Sequence, residues 1–192
     1  MKSYAYLAAQ MLGCECSIYS YSGHGIISGW TETGERNTRE ILTPWYKSYG
    51  YSHASMEGVK PEDIPWDFEK HPCDIVVLNI GTNDVSYCER HREAYDEFEQ
   101  EYYRTLKTIR ECEKKAYIIA ALGIMDDKLM KQVRRAAERF ALEDERIRVL
   151  RFTPQTGWLG YGSNWHPSED KHREAAKELA QFIVNERLLR YE

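Results

Sequence analysis

Residues 73–84 read Cys73-Asp74-Ile75-Val76-Val77-Leu78-Asn79-Ile80-Gly81-Thr82-Asn83-Asp84, and this stretch decides the fold. From Cys73 to Ile80 the run is nearly all apolar and β-branched, the pattern of a parallel strand buried on both faces. Gly81 ends it, with residues after it that suit a turn and a helix start. Downstream, Ala94, Phe98, Tyr102, Thr105, Leu106, Ile109 and Cys112 recur at helical spacing with charges between them, which predicts a long amphipathic helix. A strand over 116–122, a helix through Leu129, Val133, Ala137 and Phe140, and a strand over 147–152 follow. The last helix carries Ala175, Ala176, Leu179, Phe182 and Ile183 on its inner stripe. Strands alternating with helices predict a parallel sheet covered by helices on both faces.

Upstream of that stretch, Lys2 to Leu12 has helix-forming composition and Gly13 offers a C-terminal stop. Residues 16–21 alternate small and larger side chains and read as a strand running into Ser22-Gly23-His24-Gly25. Residues 28–66 are rich in Gly, Ser, Tyr, Trp and Pro, with one short helical possibility between Thr38 and Tyr49, and this predicts a lid or binding surface.

At 192 residues and 42% hydrophobic, the chain fits one domain over 1–192 with a real core. The net charge is −5, and Lys131, Arg134 and Arg135 are answered by Glu138, Glu143 and Glu145, so a solvated helix face is expected and no nucleic-acid partner. No apolar run reaches the roughly 18 residues of a membrane span, and residues 1–30 have no basic start, continuous apolar stretch or small-residue cleavage site. Cys14, Cys16, Cys73, Cys88 and Cys112 include no CxxC pair or zinc-type spacing, so reduced structural thiols, no metal and no cofactor are expected. A nucleotide-binding sheet ranks last, since GxGxxG and a phosphate loop are both missing.

In open parallel sheets the site lies outside the carboxyl ends of the strands, and three loops follow strands: Ser22 to Gly25, Gly81 to Asp84 and Asn164 to Pro167. Taken singly each has a plain reading. Ser22-Gly23 can be an ordinary turn, Gly81 to Asp84 a capped strand-to-helix turn, and His166-Pro167 a helix start. Taken together, Ser22-Gly23, Gly81-Thr82-Asn83-Asp84 and Trp165-His166-Pro167 resemble the last three motif blocks of the SGNH (GDSL-type) hydrolases. Tyr21 to Gly25, Trp66-Asp67-Phe68 and Gly162 to Ser168 are similar to carbohydrate esterase family 2, whose members deacetylate sugars.

The resemblance implies an α/β, three-layer α/β/α flavodoxin-like fold with a parallel sheet. It implies a serine esterase acting on O-acetyl esters, with the Gly23 N–H and the Asn83 carboxamide as oxyanion-hole donors and His166 as general base. Apart from the resemblance, aromatics are dense near the site (Trp30, Trp45, Tyr46, Trp158, Tyr161 and Trp165), and Trp165 beside His166, with Tyr161, is the expected platform for a small-molecule or oligosaccharide ester, without membrane involvement. A neutral amide at position 83 donates without adding a charge that would hold the product acid. His166 lies just before a helix opened by Pro167 and Ser168, where the partial positive charge favours neutral imidazole, although Glu169 and Asp170 oppose it.

Two departures from the family pattern stand out. No Gly-Asp-Ser occurs in the 192 residues, and Ser22 lacks a Gly-x-Ser-x-Gly frame. The reading is therefore of a domain whose nucleophile block and first, central strand are missing, so that the 192-residue product is expected to be inactive and loosely folded or poorly soluble. Second, Asn164 and Ser163 stand where the family often has an Asp, which favours a Ser-His dyad with Asn164 at most a weak orienter. The alternatives are an inactive remnant that binds carbohydrate or acyl groups, and an SGNH lipase or thioesterase.

Overall fold

The computed structural model describes residues 2–49, 58 and 60–189. Its regular elements in chain order are α1 (Tyr4–Leu12), β1 (Ile75–Asn79), α2 (Val85–Cys88), α3 (Ala94–Cys112), β2 (Tyr117–Leu122), α4 (Met130–Ala141), β3 (Ile147–Arg151) and α5 (Glu169–Asn185). The strands form one parallel sheet in the order β1-β2-β3, with Ile75 opposite Tyr117 and Ile118 opposite Ile147.

The period of two along β2 sorts the core into two halves. Ile118, Ala120 and Leu122 face a cluster made with Phe98, Tyr102, Leu106 and Ile109 of α3 and Val133, Ala137 and Phe140 of α4. Ile119 and Ala121 face the other way, onto Ala8 of α1, Ala175, Ala176, Leu179 and Ile183 of α5, and Phe152. The apolar stripes legible in the sequence are the buried faces, and the three layers are α3/α4, sheet and α1/α5. The two helices of the α1/α5 layer are closed by local chemistry. Ser3 caps α1 through Tyr6 N–H and Gly13 follows it in the left-handed region, while Ser168 caps α5 through Lys171 N–H.

Three expectations change. Residues 16–21 form no strand: among the described residues they enter no ladder or bridge, and a strand exists only through a neighbouring strand that takes its hydrogen bonds. The run Cys73 to Ile80 was expected to be buried on both faces, yet all five residues of β1 are only half-buried, because β1 is the outer strand on that side. The helical possibility between Thr38 and Tyr49 reduces to a single 3-10 turn at Thr43–Trp45. The rest of the expected lid is irregular chain stitched by isolated bridges such as Gly29 with Asn37 and Ser48 with Pro65, and its positions 50–57 and 59 lie outside the described residues.

Candidate active site

The loop after β1 and the loop at 22–31 are fastened to each other. The Asn83 carboxamide donates to the His24 carbonyl at 2.8 Å. The next residue, Asp84, is fully buried and turns its carboxylate back under the same loop, accepting from the backbone N–H groups of Ile26 (2.9 Å), Ile27 (2.7 Å) and Ser28 (3.1 Å). Burial pushes its acid up to about 6, against the pull of those three donors. Two glycines make this approach possible. Gly23 sits at φ +78°, and a Cβ on Gly25 would meet the Ser28 carbonyl and lie 2.6 Å from Asp84 Oδ2. Ser86 adds a second tie, donating to the Asn83 carbonyl at 2.8 Å and accepting from Thr31 N–H at 3.0 Å.

Two donors are left available by this arrangement. The Gly23 N–H has no acceptor among the described residues, and Asn83 Nδ2 has a second hydrogen beyond the one given to His24. Both belong to the corner where the 22–31 loop is tied to the carboxyl end of β1.

His166 reaches the same end of the sheet from the loop after β3. Its backbone enters through a strained turn, with Asn164 at φ +50° and Trp165 at φ +60°, both in the left-handed region that non-glycine residues seldom adopt. The turn brings the Ser163 carbonyl 3.0 Å from His166 Nδ1. A carbonyl only accepts, so Nδ1 carries a proton, and in the neutral ring the lone pair is on Nε2. Neighbouring His172 accepts from Tyr4 N–H at 3.3 Å and is held below the usual histidine range, first by burial and then by the nearby His166 ring. Tyr4 in turn accepts from the Asn79 side chain at 3.0 Å, at the end of β1. Among the described residues no hydrogen bond joins His166 itself to Gly23 or Asn83.

Tyr161 and Trp165 meet edge to face, with ring centroids 5.2 Å apart, and Trp165 is 73% exposed. Gln155 holds the turn by donating to the Trp165 carbonyl at 2.8 Å. Sequence reasoning did not single out Asp84, Gly25 or Gln155 for these tasks. Asp84 had been read as one candidate cap for the following helix; it occupies the N-cap position of α2 but makes no capping bond. The orienting atom at His166 is a main-chain oxygen, which no side-chain pattern announces.

Residues 45–179 match the family described as GDSL-like lipase/acylhydrolase. The chain is 27% identical to a cellulase/esterase, CelE, of Acetivibrio thermocellus over 95% of its own length and 21% of that protein's. It is 26% identical to an acetylxylan esterase/glucomannan deacetylase of Cellvibrio japonicus over 93% of this chain and 46% of the relative. Its fold is shared with an acetyl xylan esterase of Butyrivibrio proteoclasticus (TM-score 0.86, 22% identity, 96% of this chain and 55% of that one). It is shared as well with a family two carbohydrate esterase of Clostridium thermocellum solved in complex with cellohexaose (TM-score 0.79, 23% identity, 98% and 55%). The chain thus spans about a fifth and about half of the two curated relatives.

Proposed function

This chain belongs to the GDSL-like lipase/acylhydrolase family, and from that premise we propose that it supplies the acyl-binding corner and the general base of a carbohydrate O-acetyl esterase. The observation that carries the reading is the locking of the 22–28 loop onto Asn83 and Asp84, which leaves the Gly23 N–H and one Asn83 N–H without an acceptor among the described residues. Donors held in place before reaction stabilise the oxygen that turns anionic when an ester carbonyl becomes tetrahedral. A donor of this kind is worth on the order of 100-fold to 1000-fold in rate.

His166, with Nδ1–H committed to the Ser163 carbonyl, presents Nε2 to take the proton of an attacking hydroxyl and return it to the departing sugar oxygen. A main-chain carbonyl fixes the tautomer without adding a charge, so the base acts in a dyad and Asn164 is not its orienter. Acetyl esters of polysaccharides are the favoured substrate class, since one curated relative is named acetylxylan esterase/glucomannan deacetylase and one solved neighbour is a complex with cellohexaose. Trp165 and Tyr161 are the corresponding platform for a sugar ring.

The hydroxyl nucleophile has no Gly-Asp-Ser setting within these 192 residues, and on this reading it comes from a segment outside them. That same feature supports the second reading, binding of an acylated sugar without cleavage. Adding acetylated xylotetraose to labelled protein is expected to shift the Gly23 backbone and Asn83 side-chain amide resonances, and Asn83→Ala is expected to abolish the response. If neither resonance moves, the acyl-binding corner is wrong. p-Nitrophenyl acetate is expected to stay intact with the 192-residue chain. Turnover that His166→Ala removes would place the nucleophile within the chain.

A further inference from the structure

Beyond the aromatic pair lies a cavity of about 350 Å³, walled by the turn Thr153–Gly160 and by Lys171 and Glu174 of α5. That volume is near the lower end of the roughly 300–1,000 Å³ of small-ligand pockets. Its floor is unusual for a surface turn. Lys171 is 2% exposed, and among the described residues its ammonium has a single acceptor, the Glu174 carboxylate. An ammonium has three N–H groups, so two remain for another acceptor. Glu174 is half-exposed and has lone pairs to spare. Over the cavity stands Trp158, 91% exposed, an indole face with almost no protein against it.

The cavity is continuous with the loop that carries His166. The Tyr161 hydroxyl lies so close to Gly157 that a Cβ there would be 2.9 Å away, so the Tyr161 ring touches Gly157 of the cavity wall and meets Trp165 edge to face. Gln155, in the cavity wall, holds the Trp165 carbonyl, and Ser168 ties Leu159 to the start of α5 with a 2.7 Å bond.

We propose that this cavity is a second saccharide subsite, which takes an uncharged, hydroxyl-rich glycosyl unit of a polymer whose acetylated residue lies at Trp165 and His166. The chemistry selects that occupant. The Lys171–Glu174 pair is neutral overall, so neither a uronate nor an amino sugar gains net attraction, and a charged floor rejects an acyl chain. A sugar hydroxyl both accepts and donates, matching a spare ammonium N–H on one side and a carboxylate oxygen on the other, while the ring's C–H face lies on Trp158. The proposal rests on the carbohydrate reading above and deepens it: the substrate is a chain of several sugars, held at two places.

Biolayer interferometry on the immobilised 192-residue chain, with cellohexaose, mannohexaose and xylohexaose and their disaccharides as probes, tests it. Trp158→Ala and Glu174→Gln, both at exposed or half-exposed positions, are expected to weaken binding of at least one hexasaccharide about tenfold and to leave its disaccharide unchanged. Trp165→Ala is expected to weaken both lengths. If Trp158→Ala and Glu174→Gln stay within roughly twofold of the parent while Trp165→Ala does not, the second subsite is refuted and the carbohydrate reading stands. If no probe binds the parent, or Trp165→Ala has no effect either, both fall.

Discussion

Asp84 shows what one side chain does for the corner that holds Gly23 and Asn83. Its carboxylate, just before α2, takes the amides of Ile26, Ile27 and Ser28, and among the described residues no other acceptor serves Ile26 and Ile27. Truncating it leaves three buried donors unmatched, and Asp84→Ala is expected to cost about 2–4 kcal/mol, read by chemical denaturation. The pH dependence follows from the raised acid. The folded state holds the proton up to about pH 6, whereas the unfolded chain releases it near 3.8, so between those values the native state binds more protons. This group therefore favours folding below pH 4, and its contribution declines as pH rises to about 6, by on the order of 2–3 kcal/mol. Comparison of unfolding free energies at pH 4.5 and 7.5 should show the parent losing more stability, or gaining less, than Asp84→Asn over that interval, since Asp126 and His172 also shift and are common to both. At His166 the expectation is a tautomer. Long-range proton–nitrogen NMR should find the proton on Nδ1, and a proton on Nε2 would remove the base from the mechanism.

Among the elements, the strand-to-helix junction at Ser168 couples stability to the site. Its hydroxyl accepts from Lys171 N–H at 3.2 Å and donates to the Leu159 carbonyl at 2.7 Å, so it caps α5 and anchors the loop of Trp158, Tyr161 and His166 at once. Ser168→Ala is expected to cost about 1–2 kcal/mol and to release the loop. Ser168→Asp should restore the cap alone, and a variant that also recovers full hexasaccharide binding would show the Leu159 bond to be idle. The helices were legible because their apolar residues recur every three or four positions and nothing else explains that spacing, as in Phe98, Tyr102 and Leu106. The three site blocks were legible because glycine, asparagine and histidine at strand ends have few structural reasons to occur together. What the sequence concealed was non-local: Asp84 reaching back 58 positions to Ile26, and a main-chain oxygen orienting His166. The strand expected at 16–21 failed for the same reason, since alternation describes one chain and a strand requires two.

At the scale of the molecule, the exposed side of β1 governs behaviour. Tyr117 N–H donates to the Asp74 carbonyl at 2.8 Å, so alternation directs the amides of Val76 and Leu78 toward β2 and those of Ile75 and Val77 toward the open side. No described strand receives them, and the side chains around them are apolar and half-buried. An apolar edge with unpaired amides is a template for another strand, and here neither a charged residue nor a proline within β1 blocks it. The 192-residue chain is therefore expected to self-associate as its concentration rises. Hydrogen exchange at low concentration should show slow amides at Val76 and Leu78 alternating with fast ones at Ile75 and Val77. At high concentration the fast pair should become protected while sedimentation reports larger species. Val77→Pro removes one open-side donor without breaking a bond to β2 and should hold the chain monomeric at concentrations where the parent associates. A parent that sediments as a monomer throughout, with Ile75 and Val77 as protected as Val76, would show that this edge is already satisfied within the chain, and the three-strand account of the sheet would have to be abandoned.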